Sequence, residues 1–238
     1  MMNKIITYET LRQFCYSNDK LCKEIRGIVI CFAGLNCRDM YEEHRTGTDM
    51  AKHGIVWVFP YNNPWCWMNE QAVAYTDELI DVLMAHYNLP DDLPIVAEGG
   101  SMGGMAALTY MVYAKRTPVA CVANCPVCDL PYHFTERPDL PRTLYSAFWH
   151  ENGAMEDILP RYSPLHLVDK MPDADYTIFH CEEDKSVNKQ LHSDKFVAAM
   201  AHRRVEYIPV PGRGHGQLTD EMWERYYNTV KNAILNRD

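Results

Sequence analysis

The sequence has 238 residues, 47% hydrophobic and 23% charged, with a formal net charge of −9, which is ordinary for a soluble globular protein with a large core. The acidic balance, without any long basic run, excludes nucleic acid as an expected partner. Nine scattered cysteines, no signal-peptide-like start and no bilayer-length apolar run predict reduced thiols, a cytoplasmic location and no membrane association.

Short apolar runs alternate with helical patterns along most of the chain. Runs that are apolar throughout are typical of strands buried on both faces of a parallel sheet. Asn69 and Thr219 are placed to cap two of the helices. The alternation predicts a mostly parallel central sheet with helices on both faces. Strands are predicted at 5–8, 27–32, 55–59, 94–99, 118–123, 176–181 and 205–210, and helices at 37–53, 70–87, 105–113, 191–203 and 220–234.

The stretch 94–113 predicts a strand, a sharp turn and a helix, with one serine at the turn. The turn has the pattern Gly-x-Ser-x-Gly, in which Gly99 and Gly103 leave room for a backbone too tight for larger side chains. A serine in this position stands clear of the sheet, next to the N-terminus of a helix whose dipole favours negative charge. Ser101 is therefore the predicted nucleophile.

A serine hydroxyl needs a base, and the base needs an orienting acid. His215 is the best candidate for the base, because it lies between glycines in the turn 211–216, directly after the last predicted strand. Asp184 is the preferred acid, since it lies in a loop after a strand and between the other two residues in chain order. Asp129, after the preceding strand, and the acids at 182–183 remain alternatives.

Three motifs resemble those of the α/β-hydrolase superfamily. They are Gly-Gly-Ser-Met-Gly-Gly at 99–104, Glu-Glu-Asp-Lys-Ser-Val at 182–187 and Gly-Arg-Gly-His-Gly at 212–216. The similarity extends from about residue 25 onward and is greatest to the prolyl oligopeptidase-like and dienelactone hydrolase-like serine hydrolases. The resemblance implies an α/β-hydrolase fold, a mostly parallel central sheet flanked by helices with a small cap or lid.

The resemblance also implies an oxyanion hole. These relatives carry a His-Gly or Gly-Gly pair after an early strand, and the next backbone N–H points at the oxyanion. The matching residues are Ala33-Gly34-Leu35, so the N–H groups of Leu35 and Met102 are the expected donors. Ala33 departs from the family, where histidine or tyrosine is frequent.

The implied activity is hydrolysis of a carboxylic ester of small or medium size through an acyl-enzyme. A peptidase or amidase of the prolyl oligopeptidase type, an acyltransferase and an inactive binding fold are the alternatives. The peptidase is less favoured, because neither a β-propeller nor a tyrosine donor for the oxyanion is evident in the sequence. No metal or cofactor is expected, since the Cys125–Cys128 pair lacks the second pair of a zinc site. The sequence predicts no oligomeric state.

The chain is expected to form one domain, 1–238, with the proline-rich and aromatic segment 126–165 inserted as a lid. Loops at the carboxyl ends of the strands form ligand sites in open α/β sheets. The loop after the second buried strand and the lid are therefore expected to enclose an apolar pocket for the ester or short peptide. Its predicted wall is Trp65, Trp67, Phe148 and Trp149, with Tyr132, His133, Phe134 and Tyr145 as further aromatic residues of the lid.

Overall fold

The structure is a computed structural model that describes residues 6–36, 40 and 42–236. Within these residues, the strands are β1 (Cys15–Ser17), β2 (Gly27–Phe32), β3 (Ile55–Pro60), β4 (Ile95–Gly100), β5 (Ala120–Asn124), β6 (Asp175–Cys181) and β7 (Arg204–Val210). They form one seven-stranded sheet in the order β1-β3-β2-β4-β5-β6-β7. The short edge strand β1 is antiparallel to β3, and all other neighbouring strands are parallel.

Helices cover both faces of this sheet. Asn69 and Thr219 cap α2 and α8 by accepting the N–H groups of Ala72 and Met222, as the sequence predicted. No helix among the described residues is both long and apolar enough to cross a membrane. The helices are α1 (Arg45–Lys52), α2 (Glu70–Tyr87), α3 (Met102–Tyr113), α4 (Leu130–Glu136), α5 (Leu140–Phe148), α6 (Met155–Ile158), α7 (Lys195–Ala199) and α8 (Asp220–Leu235), with 3₁₀ turns at Leu11–Gln13, Asp19–Leu21, Leu159–Tyr162 and Pro164–Lys170 and a π-turn at Gln190–Asp194.

The central strands are mostly apolar because both of their faces are buried. In β3 every residue is buried, and β2 and β4 are almost completely so. Alternate residues of one strand enter opposite cores: Ile28 and Ile30 pack on one face of the sheet, and Val29 packs on the other. The expected doubly covered sheet is therefore confirmed.

Two secondary-structure predictions in the first 53 residues were wrong. Residues 6–8 form no strand, and residue 5 lies outside the described residues. The antiparallel edge strand is β1 instead, which is too short to give a periodic signal. The helix predicted at 37–53 begins only at Arg45, and residues 37–39 and 41 lie outside the described residues.

The segment between β5 and β6 contains α4, α5, α6 and two 3₁₀ turns, and it packs on the body of the protein. The Thr109 hydroxyl of α3 donates to the Tyr162 carbonyl at 3.0 Å. The Trp67 indole donates to the Thr143 hydroxyl at 3.1 Å, and the Asn69 amide donates to the Ala147 carbonyl at 2.8 Å. These contacts fix α5 against the loop that follows β3.

Candidate active site

The turn between β4 and α3 holds Ser101 in a conformation that side chains rarely adopt, with φ at 59° and ψ at −124°. The neighbouring glycines are required by close backbone contacts. A Cβ on Gly99 would lie 2.5 Å from the Gly103 carbonyl oxygen, and a Cβ on Gly103 would collide with the Phe32 carbonyl. Strain of this kind costs of order 1–3 kcal/mol and is typical of functional sites.

The three residues predicted to act together lie in one hydrogen-bonded row. The Nε2 atom of His215 lies 2.9 Å from the Ser101 hydroxyl oxygen, and its Nδ1 atom lies 2.6 Å from Oδ2 of Asp184. His215 follows β7 and Asp184 follows β6, so the carboxyl ends of parallel strands bring them to one edge of the sheet. The row has the order and spacing of a nucleophile, a base and an orienting acid.

Asp184 is held as a carboxylate. Its Oδ1 atom accepts the backbone N–H groups of Ser186 at 2.8 Å and Val187 at 2.9 Å. Burial alone would raise its pKa, but hydrogen bonds with His180, His215 and the Val187 N–H outweigh burial and hold that pKa well below its usual range. The alternative acid, Asp129, instead accepts the Tyr132 N–H at 3.1 Å and caps α4.

His180 is a second histidine at Asp184, and the sequence analysis did not single it out. The side chain is completely buried in β6. Its Nε2 atom lies 3.1 Å from the Val187 carbonyl and 3.4 Å from Oδ2 of Asp184, and its Nδ1 atom lies 2.7 Å from the Ser193 hydroxyl. Because a carbonyl only accepts, Nε2 carries the proton and Nδ1 accepts from the serine. A histidine in an otherwise apolar strand was the available signal.

A cavity of about 330 Å³ opens beside the Ser101 hydroxyl. Leu35 and Met102, the predicted oxyanion donors, both line it. Neither of their backbone N–H groups donates a hydrogen bond to another described residue, which leaves both free to bind a ligand oxygen. The full lining is Gly34, Leu35, Asn36, Trp67, Ser101, Met102, His133, Arg137, Leu140, Ser186, Val187 and His215.

The structure distributes the four predicted aromatic wall residues differently. Trp67 lines the cavity at Ser101, whereas Trp65 and Trp149 line a separate cleft of about 500 Å³. Phe148 lines neither, because it is 0% exposed and packs on Tyr162 with 4.7 Å between ring centroids. The prediction that all four form one wall is therefore wrong: the inward face of α5 buries Phe148, and the next residue, Trp149, is 72% exposed.

A second carboxylate lies between two histidines, one of which, His133, lines the cavity. Oε2 of Glu136 is 2.6 Å from Nδ1 of His133 and 3.0 Å from Nε2 of His192. The backbone N–H groups of Cys128 and Asp129 each donate to Nδ1 of His192, at 3.1 Å.

This geometry does not suit a metal ion, although the three side chains lie close enough to share one. Because Nδ1 of His192 accepts hydrogen bonds, the proton of the neutral ring must be on Nε2. That nitrogen therefore donates to Glu136 and offers no lone pair. Metal-bound histidines have the opposite arrangement, with a proton on the nitrogen remote from the metal.

Arg137 brings a guanidinium group to the same cavity. Its Nε and Nη2 atoms donate to the two carboxylate oxygens of Asp139 at 3.0 and 2.6 Å. This two-point pairing uses one N–H of each nitrogen and leaves both N–H groups of Nη1 available as donors. No sequence pattern pointed to this residue, because its position depends on how α4 and α5 pack over the sheet edge.

A mostly parallel sheet with a serine at a tight strand–helix turn defines an α/β-hydrolase of the serine hydrolase type. The sequence of residues 71–232 matches the family described as the prolyl oligopeptidase family, Peptidase_S9. The chain belongs to this family and is a hydrolase. A search of curated proteins gives no match.

Solved structures support the same fold. A puromycin-hydrolyzing peptidase of Mycobacterium tuberculosis is 15% identical, with a TM-score of 0.71 over 91% of this chain and 35% of its own. An S-formylglutathione hydrolase of Agrobacterium tumefaciens is 17% identical, with a TM-score of 0.69 over 92% and 87%. A truncated form of a carbohydrate esterase from gut microbiota is 15% identical, with a TM-score of 0.65 over 90% of this chain and 86% of the truncated chain. The chain thus spans about a third of the puromycin-hydrolyzing peptidase and most of the other two.

Proposed function

We propose that this hydrolase cleaves carboxylic esters of small or medium size, with Ser101 as nucleophile, His215 as general base and Asp184 as the orienting acid. The observation that carries the proposal is the continuous hydrogen-bonded row from the Ser101 hydroxyl through both ring nitrogens of His215 to the Asp184 carboxylate. Each member of the row is what acyl transfer through a serine requires.

The steps follow from the positions of the atoms. Nε2 of His215 takes the hydroxyl proton as the Ser101 oxygen attacks the ester carbon, and the carbonyl oxygen becomes an oxyanion between the N–H groups of Leu35 and Met102. The imidazolium then gives its proton to the departing alcohol, which leaves an acyl-serine. Water, deprotonated by His215, repeats the addition and releases the acid and the free serine. Asp184 stabilises the transient positive charge on His215.

Size favours an ester over a longer peptide. The cavity of about 330 Å³ is at the small end of ligand sites, and the bulky side chains of Leu140, Trp67 and His133 are among those that line it. The two similar structures that match this chain over most of their own length are named as a formylglutathione hydrolase and a carbohydrate esterase. Family membership keeps a peptidase or amidase as the second candidate.

A labelling experiment tests the proposal. A fluorophosphonate probe should label wild-type protein and the Ser146→Ala control, in which an exposed serine is removed, but not Ser101→Ala. A panel of p-nitrophenyl esters and aminoacyl amides then separates esterase from amidase. Labelling that persists in Ser101→Ala would overturn the nucleophile, and hydrolysis of amides but not esters would replace the first candidate by the second.

A further inference from the structure

His133 presents an unused hydrogen-bond acceptor to the cavity beside Ser101. The side chain is 2% exposed, and it lines the cavity. Burial would raise the pKa of Glu136, but hydrogen bonds with His133, His192 and the Asn188 N–H outweigh it and hold that pKa well below its usual range. Since a carboxylate only accepts, Nδ1 of His133 carries the proton of the 2.6 Å bond.

The other ring nitrogen of His133 is therefore an acceptor. Burial, together with the neighbouring His192, lowers the pKa of His133 despite the carboxylate of Glu136, so the ring is neutral at neutral pH. Nε2 has a lone pair, and no hydrogen bond from another described residue reaches it. This nitrogen is not among the completely enclosed polar atoms of the described residues, and the ring lines the cavity, so a ligand bound there can donate to it.

The remaining polar groups of the cavity are chiefly donors. Arg137 keeps Nη1 free after pairing with Asp139. The Asn36 side-chain oxygen accepts the Trp65 indole N–H at 2.6 Å, which leaves the amide N–H groups of Asn36 available. The hydroxyl of Ser186 can donate or accept. Between these groups the wall is apolar, formed by Trp67, Leu140 and Val187.

We propose that the alcohol portion of the substrate is a polyhydroxylated compound such as a monosaccharide, and that one of its hydroxyl groups donates a hydrogen bond to Nε2 of His133. The inference rests on the proposed ester hydrolysis and names its substrate class. A hydroxyl donates and accepts at once, so it satisfies His133 and the donors on Arg137 and Asn36. A carboxylate gains little here, because Asp139 already pairs with Arg137.

Matched esters test the inference. Methyl 6-O-acetylglucopyranoside and cyclohexylmethyl acetate have the same acyl group and ring size but differ in hydroxyl groups. We expect wild-type protein to favour the hydroxylated ester by about 10- to 100-fold in kcat/KM, since leaving a buried acceptor unpaired costs that much. His133→Asn can keep a donor for Glu136, but its shorter side chain places no acceptor at the position of Nε2, and His133→Phe keeps the ring shape without either nitrogen. Both should bring the ratio close to one.

The control is His166→Phe, a histidine that also lies between β5 and β6 and whose ring contacts Ser163 outside the cavity. It should keep the wild-type ratio. A wild-type ratio near one, or a preference that survives in both His133 variants, overturns the inference while ester hydrolysis stands. If Ser101 is not labelled by the fluorophosphonate and neither ester is cleaved, the proposed function itself fails.

Discussion

The molecule places two carboxylates between pairs of histidines, and only one pair reaches a nucleophile. Asp184 lies between His215 and the buried His180, and Glu136 lies between His133 and the buried His192. In both cases the histidine at the cavity is 2.6 Å from the carboxylate through Nδ1. The two arrangements are thus alike up to the outer ring nitrogen.

The difference lies beyond that nitrogen. Nε2 of His215 is 2.9 Å from the Ser101 hydroxyl, whereas Nε2 of His133 faces the cavity. A histidine oriented by a carboxylate can act as a general base only when a group that gives up a proton, such as a hydroxyl, is within hydrogen-bond distance. Without such a group, the histidine can only bind a ligand. The position of Ser101 beside His215 is therefore the reason that we propose His215, and not His133, as the general base.

Removing the Ser101 hydroxyl should have the largest effect, because Nε2 of His215 then has no hydroxyl partner, as is the case for Nε2 of His133. In Ser101→Ala, we expect ester turnover to fall by about 10⁶-fold, as in other serine triads. The change removes one partly exposed oxygen, so the thermal midpoint should stay close to that of wild type. Steady-state turnover and a thermal melt check both. A residual rate within tenfold of wild type contradicts the assignment.

Neutralising the two carboxylates compares them directly. Asp184→Asn should lower kcat by about 10⁴-fold, by analogy with the triad of serine proteases, since the amide would favour the wrong tautomer of His215. Glu136→Gln and Asp129→Asn should lower kcat for p-nitrophenyl acetate far less, because neither carboxylate contacts His215. If Asp129→Asn is the crippled variant, the acid follows β5 instead.

The row from Ser101 to Asp184 was accessible from sequence because its signals are local. A Gly-x-Ser-x-Gly turn after an apolar run, a glycine-flanked His215 and an acid after a strand each depend on a few neighbouring residues. Parallel strands then bring their carboxyl ends together without further information. The sheet and both helix caps were predictable for the same reason.

The opposite wall was not accessible because it depends on packing between distant elements. His133 was expected only as one aromatic residue of the lid, and Arg137 was not considered. Neighbouring residues of a helix, such as Phe148 and Trp149, point about 100° apart. In a segment rich in aromatic residues, the sequence does not determine which of the two faces inward. His180 was passed over because its partner, Ser193, is 13 residues away.

The two buried histidines provide a smaller test. His180→Gln should lower kcat by roughly tenfold with little change in KM, because Asp184 loses a donor that positions it. His192→Gln should leave kcat for p-nitrophenyl acetate nearly unchanged, because its hydrogen bonds serve Glu136 and α4. Both variants should lose about 1–3 kcal/mol of stability. Rates are expressed per site titrated with fluorophosphonate, so unfolded protein does not count. If the His180→Gln and His192→Gln variants have equal kcat, His180 does not position Asp184.

Acid unfolding should show the smallest effect and apply to both carboxylates. The folded-state pKa values of Asp184 and Glu136 lie below the unfolded values of about 3.9 and 4.3. Each carboxylate therefore stabilises the fold fully at neutral pH, and this stabilisation declines as pH falls below about 5.

Glu136→Gln should cost about 1–3 kcal/mol at pH 7 and progressively less towards pH 3, as measured by urea unfolding. For the control Glu156→Gln, at an exposed position, the free energy of unfolding should not approach that of wild type in this way as pH falls. A gap between wild type and Glu136→Gln that stays constant from pH 7 to 3 would show that the Glu136 carboxylate is not stabilised by its two histidines.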